Sequence, residues 1–381
     1  MMKIGVVKEL AADERRVALV PETIKKLAQK KIEVVVQKDA GGRAFFPDAD
    51  YVAAGAKIVD TAAAVYAEAD TLARIAEPDD KEILQMKEGS TLLALLTPLS
   101  NPALIQQLND RKLTVVALDM VPRISMAQSM DVLSSQANIS GYWAVVAAAS
   151  RLSRYLPMLM TAAGTITPAR VLVMGVGVAG LQAIGTAKRL GAVVEATDVR
   201  PETKEQVESL GGKFLEVTGV EYKQGQGGYA VEQSDEYKKK QTEIVAAALQ
   251  RADVVITTAL IPGRKAPILV TKAHVSSMKP GSVIVDLAAR QGGNVEGCLP
   301  GQDAMTENGV LIMGPTNAPS ALSTHASMTF SRNLEKLIVH LSADGAWNIR
   351  DDDEVQKGCV ITRGGEVVHA KVREAVVALK A

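Results

Sequence analysis

The sequence predicts an α/β protein made of two parallel-sheet domains, and three observations carry that prediction. Residues 171–198 read as a strand, a tight glycine turn, a helix, a second strand and an acid. Among residues 1–130, short apolar segments at 3–7, 33–37, 72–75, 92–96 and 114–118 alternate with helical stretches, the pattern of short crossovers in a parallel sheet. From 171 onward, strand candidates recur at 171–175, 192–197, 213–217, 253–258, 282–286 and 310–313. Six is the number required by two mononucleotide-binding halves sharing one doubly wound sheet.

Taken in order, the first strand candidate begins directly at the N-terminus. Its charges interrupt any apolar run, so it does not read as a signal peptide. Helical stretches at 21–29 and 102–109 each open on proline, whose fixed φ suits the first turn. This first half has no glycine fingerprint. Next comes a loop fixed by Pro122, which turns helical near Ser129 and is expected to run to about Tyr155, joining the domains. Its polar residues Arg123, Gln128, Asp131, Ser134 and Ser135 are dense for the start of a core helix. Two readings stand: a functional loop, or a plain helix start with Ser129 as cap and Asp131 in the favourable first turn. Residues 157–168 read as a small hairpin.

In the 171–198 stretch, Gly175, Gly177 and Gly180 have G-x-G-x-x-G spacing, with Val176, Val178 and Ala179 between them. The first glycine permits the turn, the second lets a pyrophosphate approach the backbone, and the third lets helix pack on strand. The pyrophosphate would sit on the helix N-terminus, where free N–H groups and the dipole favour an anion. Together these features describe a Rossmann-like dinucleotide site. Asp198, followed by Val199 and Arg200, closes the next strand, where a carboxylate can accept from both ribose hydroxyls of NAD. A carboxylate there repels the 2′-phosphate of NADP and Arg200 could attract it; NAD is the favoured cofactor.

Residues 218–241 form a long polar insertion containing Tyr229 beside glycines, either a latch over a bound cofactor or an idle loop. Thr258, Ala259 and Leu260 open a loop at the carboxyl end of a strand, where open sheets bind ligands, and 286–294 is another such end; both are expected to face the nicotinamide half. A helical pattern at 323–340 and a hairpin at 361–368 return the chain to the first domain. The expected division is therefore 1–133 plus 322–381 as a discontinuous domain and 134–321 as the NAD(H)-binding domain, with the site in the cleft between them.

Composition narrows the function. Over 381 residues, 43 Lys plus Arg balance 43 Asp plus Glu, which argues against a nucleic-acid surface. The uncharged run 132–150 is too polar to span a membrane, and no direct membrane insertion is expected. Aromatics are only 3%, so the cores must be built from Ala, Val, Leu and Ile. Cys298 and Cys359 make no disulfide framework, and four scattered histidines offer no metal site.

At this point the chain resembles the NAD(H)-binding component of proton-translocating nicotinamide nucleotide transhydrogenase. The resemblance rests on Pro-Arg-Ile-Ser-Met-Ala-Gln-Ser-Met-Asp-Val-Leu-Ser-Ser-Gln-Ala-Asn from Pro122, on the glycine turn and the Asp-Val-Arg-Pro-Glu-Thr-Lys run from Asp198, and on 257–267 and 281–288. It covers nearly the whole chain. It implies direct hydride transfer between NADH and NADP⁺, with NADP(H) on a separate docked component and a membrane-spanning component coupling the reaction to proton translocation. It also implies that Arg123 contacts the carboxamide region, that Gln128 reaches towards the second nucleotide, and that Asp131 with Ser134 fixes the dihydronicotinamide and its ribose. Tyr229 falls where the family has a mobile loop. The chain ends at Ala381 without membrane helices, so the partners are expected to be separate polypeptides. The expected location is then cytoplasmic, peripheral to the inner membrane through those partners. A homodimer joined through the 157–168 hairpin is likewise implied. Met126 stands where the family often has a basic residue, and Gly263-Arg-Lys replaces the usual Gly-Lys-Pro.

Alanine dehydrogenase, which shares the fold, is the alternative. Arg16 matches its arginine, but the lysine expected near Ala76 and the histidine near Leu96 and Thr97 are missing, which removes substrate charge pairing and proton transfer. A non-catalytic NAD-sensing module is the third reading, and it predicts binding without turnover.

Overall fold

The computed structural model describes residues 2–217, 234–261 and 263–379. Tyr229 and most of the polar insertion lie outside them. The chain forms two compact units, Met1–Gln136 with Pro319–Ala381 and Ala137–Ala318.

In the first unit the order is β1 (Lys3–Val6), α1 (Pro21–Gln29), β2 (Glu33–Gln37), α2 (Asp48–Ala53), β3 (Lys57–Val59), α3 (Ala62–Glu68), β4 (Thr71–Ala73), α4 (Asp80–Gln85), β5 (Thr91–Ala94), α5 (Pro102–Asp110) and β6 (Thr114–Ala117). Helix α6 (Val132–Arg151) carries the chain into the second unit. There the order is β7 (Leu159–Thr161), β8 (Gly164–Ile166), β9 (Arg170–Met174), α7 (Val178–Arg189), β10 (Val193–Thr197), α8 (Lys204–Ser209), β11 (Lys213–Phe214), α9 (Asp235–Arg251), β12 (Val254–Thr257), α10 (Lys272–Ser277), β13 (Val283–Asp286), β14 (Asp303–Met305) and β15 (Leu311–Met313). The tail returns as α11 (Ser323–His340), β16 (Ser342–Ala343), β17 (Ala346–Trp347), α12 (Glu354–Cys359), β18 (Val360–Arg363), β19 (Glu366–Val367) and α13 (Ala370–Ala378).

Both large sheets are doubly wound. The first runs β19-β18-β6-β5-β4-β1-β2-β3, parallel from β6 through β3, with β18 antiparallel to β6 and β19 antiparallel to β18. The second runs β11-β10-β9-β12-β13-β15-β14, parallel except for β14. Numbering each set of six parallel strands from its own start gives the order 3-2-1-4-5-6 in both units. Chain reversal between the first and fourth strand opens a crevice at the carboxyl ends, which is where such sheets take ligands.

Alternation along the strands splits each unit's core into two layers. In the first unit Val34 and Val36 pack on one face with Leu27 of α1 and Phe330, Leu334 and Leu337 of α11. Val35 turns to the other face with Val65, Ile105 and Val372. In the second unit Val171 and Val173 meet Ala144, Val145 and Ala148 of α6 and Ala183, Ile184 and Ala187 of α7. Leu172 and Met174 meet Val245, Ala248 and Leu249 of α9. Alanines at the helix faces bring the helices close to the sheet, which is how a chain poor in aromatics fills its core.

Three differences from expectation have local causes. Strand β14 is absent from the expected set; it is a three-residue antiparallel edge with little apolar alternation to announce it. Strand β3 is likewise a short, partly exposed edge. The long helix begins at Val132 and ends at Arg151, because the cap is Asp131 and not Ser129: the Asp131 carboxylate accepts the Ser134 N–H at 2.9 Å. Among the described residues no helix is long and apolar enough to cross a membrane.

Candidate functional site

In the second unit the carboxyl ends of β9, β10 and β12 build a polar cradle around the glycine turn. Gly175 has φ +98°, a left-handed conformation that suits glycine, and its carbonyl accepts the Thr258 hydroxyl at 2.9 Å. A Cβ on Gly180 would come within 2.0 Å of the Gly175 carbonyl oxygen, so the start of α7 lies directly against the turn. Gly177 is different. Its φ is −85°, and a Cβ there would meet no protein atom within 4 Å. Nothing in the protein's own packing asks for glycine at 177; the space is open outward. Gly177 is also the N-cap of α7 and offers no side chain to the first-turn N–H groups. Val178, Ala179 and Gly180 therefore begin a twelve-residue helix whose N-terminus is uncapped by side chains and faces that space. An anion fits this cradle.

Asp198 closes the turn from the other side. Its Oδ2 accepts the Val176 N–H at 2.6 Å. Arg200 then folds back on it: the backbone N–H and Nε both donate to Oδ1 at 2.9 Å, and Nη2 donates to Oδ2 at 3.0 Å. Burial works to raise the Asp198 carboxyl, but the Arg200 guanidinium and the N–H groups of Val176 and Arg200 outweigh it and hold the carboxyl below its usual range. Both oxygens thus already accept two donors each. A ligand hydroxyl reaches this carboxylate by displacing Arg200, and Arg200, neutralised by Asp198, is not a free cation for a second phosphate. Val199, after β10, and Leu260, after β12, stand exposed on the two strands that flank β9, apolar groups beside the polar turn.

The loop carrying Thr258, Ala259 and Leu260 is held by a residue that local spacing places toward a ligand. Asn294 is instead fully buried: its Oδ1 accepts the Ala259 N–H, and its Nδ2 donates to the carbonyls of Ala259 and Pro267. Asp286, also fully buried, accepts the Thr257 hydroxyl and the N–H groups of Ala288, Asn294 and Val295. Neither points outward. They act as an inner brace that sets the loop's path, a role carried by contacts across the sheet and unreadable from local spacing.

In the first unit, the segment after β6 is pinned by its apolar residues and leaves its polar ones outside. Ala127 and Met130 are buried in the core while Arg123, Met126 and Gln128 are exposed. The side chains of Arg123 and Gln128 have no hydrogen-bond partner among the described residues, while the Gln128 carbonyl accepts the Asp131 N–H. Asp131 is partly committed: besides capping α6, its Oδ2 accepts the Ser134 hydroxyl at 2.7 Å. The two readings of this segment therefore coexist, since Asp131 is a cap and Arg123 and Gln128 are available.

Arg16 is only 7% exposed, and its Nε and Nη2 donate to the two carboxylate oxygens of Glu14 while Nη1 donates to Gln136. Its guanidinium is a structural clamp. Burial first, with Asp286 beside it, pushes the Cys298 thiol up to about 12, and burial does the same to Cys359, which favours the neutral thiol in both. Among the described residues no group of side chains could hold a metal ion.

Two family models cover most of the chain, and the second runs through nearly all of the second unit into the returning tail of the first. The family described as "Alanine dehydrogenase/PNT, N-terminal domain" matches residues 5–140, and "Alanine dehydrogenase/PNT, C-terminal domain" matches residues 144–370. The sequence is 48% identical to a chain of NAD(P) transhydrogenase subunit alpha from Rhodospirillum rubrum, over 97% of this chain and 98% of that one. It is 30% identical to "Alanine dehydrogenase" of Halomonas elongata, over 98% of this chain and 96% of that protein. The crystal structure of transhydrogenase from Sinorhizobium meliloti superposes with a TM-score of 0.87 at 44% identity, covering 96% of this chain and 100% of that one.

Proposed function

The chain belongs to the alanine dehydrogenase/PNT family, and within it we propose that this protein is the NAD(H)-binding component of a proton-translocating transhydrogenase. The observation that carries the proposal is the open cradle at Gly177, in a chain that aligns nearly end to end with a transhydrogenase alpha-subunit chain. Gly175 to Gly180 would hold the pyrophosphate, Asp198, Val199 and Arg200 the adenosine ribose side, and Thr258, Ala259 and Leu260 the opposite wall. Tyr229 would latch over the dinucleotide. NAD(H) is preferred over NADP(H) because Asp198 keeps Arg200 neutralised.

The nicotinamide, when bound, would exchange hydride directly with the nicotinamide of NADP(H) on a separate component. The chain's own residues then have no proton to move, and their task is distance and orientation. Arg123 and Gln128, exposed and unpaired among the described residues, would address the carboxamide and the second nucleotide. Asp131 and Ser134, already bonded to each other, offer a rigid polar edge for the dihydronicotinamide and its ribose. A separate membrane-spanning component would couple the transfer to proton movement, keeping this chain at the cytoplasmic face of the inner membrane through its partners. The alanine dehydrogenase reading has lost its one matching group, since Arg16 is committed to Glu14.

Mixing tests the proposal. The purified chain plus a purified NADP(H)-binding transhydrogenase component should reduce an acetylpyridine analogue of NAD⁺ with NADH when NADP(H) is present, and neither protein should do so alone. NADH binding without turnover would replace the proposal with the sensor reading; alanine-dependent reduction of NAD⁺ would replace it with the dehydrogenase.

We also propose that two copies pair through the β7–β8 hairpin. Met158, Met160 and Ile166 there are 58%, 73% and 45% exposed, an apolar surface on a two-stranded ribbon that has little stability alone. Sedimentation equilibrium should give twice the chain mass, falling to one chain mass in Met160→Asp; a monomeric wild type would refute this.

A further inference from the structure

The first unit contains a cavity of about 610 Å³, built by the segments after β5 and β6 and by the tail from Ile349 to Lys371. Four cations line it: Arg350, Lys357, Arg363 and Lys371, against a single lining acid, Asp351. These groups come from α12, β18, the start of α13 and the turn before α12, so the fold collects them from four places. We propose that this cavity is a binding site for a small organic anion that combines a phosphate or similar dianion with an apolar body, distinct from the dinucleotide site.

The charge pattern argues for a ligand. Cations gathered within a Debye length of ~8 Å repel one another unless anions offset them. Asp352, Glu354 and Glu366 lie close in sequence, but among the described residues none of them forms an ion pair with these four cations, and Asp351 is the one acid in the lining. Asp351 pairs with Arg363 at 3.3 Å but is 86% exposed, and such exposed pairs are weak. Asp353 accepts Arg350 at 2.9 Å, yet it also takes His340 at 2.9 Å and caps α12. Lys357 and Lys371 have no acidic partner among the described residues. The four residues are exposed, and the fold turns all of them onto one concave volume.

Two further features match the anion. His369 accepts the Val372 N–H through Nδ1, which leaves hydrogen on Nε2, so this lining residue contributes a neutral donor. Burial, then the charge of Lys371, lowers the His369 pKa and favours that neutral form. His369, Ala370 and Lys371 also form the start of the nine-residue α13, whose first-turn N–H groups add to the positive field.

The apolar body is required by the rest of the wall. Met120, Ile349, Val360 and Val368 face the cavity, a volume typical of small-molecule sites. Inorganic phosphate would leave those groups uncovered.

Phenyl phosphate is the probe, with inorganic phosphate as its comparison. Calorimetric titration of the full chain should show saturable binding of one phenyl phosphate per chain with Kd below about 1 mM, tighter than inorganic phosphate. Added NADH should leave this binding in place, which separates it from the glycine turn. Lys357→Ala with Lys371→Ala, both exposed changes, should weaken it at least about tenfold while the melting temperature stays unchanged. Absence of saturable binding, competition by NADH, or an affinity indifferent to the two lysines would each overturn the proposal. Because the readout is binding of phenyl phosphate, its failure is separable from any failure in the transhydrogenase assay.

Discussion

Gln128→Ala and Asp131→Ala are each expected to lower hydride transfer in the mixed assay by about 10²-fold or more, with NADH binding reduced far less. The reason is geometric. Ring-to-ring transfer depends on holding two rings at close approach, and a misplacement of about 1 Å is enough for such a loss. The Gln128 side chain has no internal bond to keep, so removing it should leave the melting temperature unchanged. Asp131 does have one: it caps α6 and takes the Ser134 hydroxyl. Its alanine variant should also lose about 1 kcal/mol of stability. Asp131→Asn separates the two roles, because the amide oxygen can still accept the Ser134 N–H. Stability should recover in that variant while transfer stays slow. If Asp131→Asn transfers hydride at the wild-type rate, the carboxylate has only a capping role.

The second large effect is a contrast between two glycines of the same turn. Gly180→Ala places a Cβ where only 2.0 Å separates it from the Gly175 carbonyl oxygen. That carbonyl cannot retreat, since Thr258 holds it and Asp198 holds the next N–H. The variant should lose about 3 kcal/mol or more, or fail to fold. Gly177→Val adds bulk into space with no protein atom within 4 Å, so the fold should persist. Its NADH affinity should fall at least about 100-fold, or about 2.7 kcal/mol, because the side chain occupies the ground a pyrophosphate needs. Thermal melts and NADH fluorescence titrations read the two effects separately. Wild-type NADH affinity in Gly177→Val would remove the main support for the dinucleotide site.

Much of the architecture is legible in residues alone because the two signals behind it are local. Apolar runs such as 171–174 and 283–285, bounded by turns, announce strands buried on both faces, and the glycine spacing announces the strand-to-helix turn. What escapes depends on contacts that local spacing does not carry. The embrace of Asp198 by Arg200 spans only two residues, yet nothing in the string Asp-Val-Arg says that the guanidinium turns back. Asn294 reads as one more polar residue after two glycines, and its role as a brace for Ala259 and Pro267 exists only across the sheet. The helix cap lies at Asp131 and not two residues earlier at Ser129, because Ser-x-Asp permits either and the folded backbone decides. The basic cavity is hidden for a related reason: Arg350, Lys357, Arg363 and Lys371 look like an ordinary hydrophilic tail until the chain folds.

The discontinuity of the first unit sets an order of assembly. Residues 1–136 leave the ribosome first, but β6 gains its antiparallel neighbour β18 only when the tail arrives, and one core layer waits for Phe330, Leu334 and Leu337. The second unit, 137–318, is continuous and can close earlier. During synthesis the N-terminal portion therefore carries a naked strand edge and an uncovered apolar face until the tail arrives. A nascent chain halted at Ala318 should show this under brief proteolysis, with the later-made unit resistant and the earlier-made one cut; equal protection of both would mean that the tail is dispensable for folding.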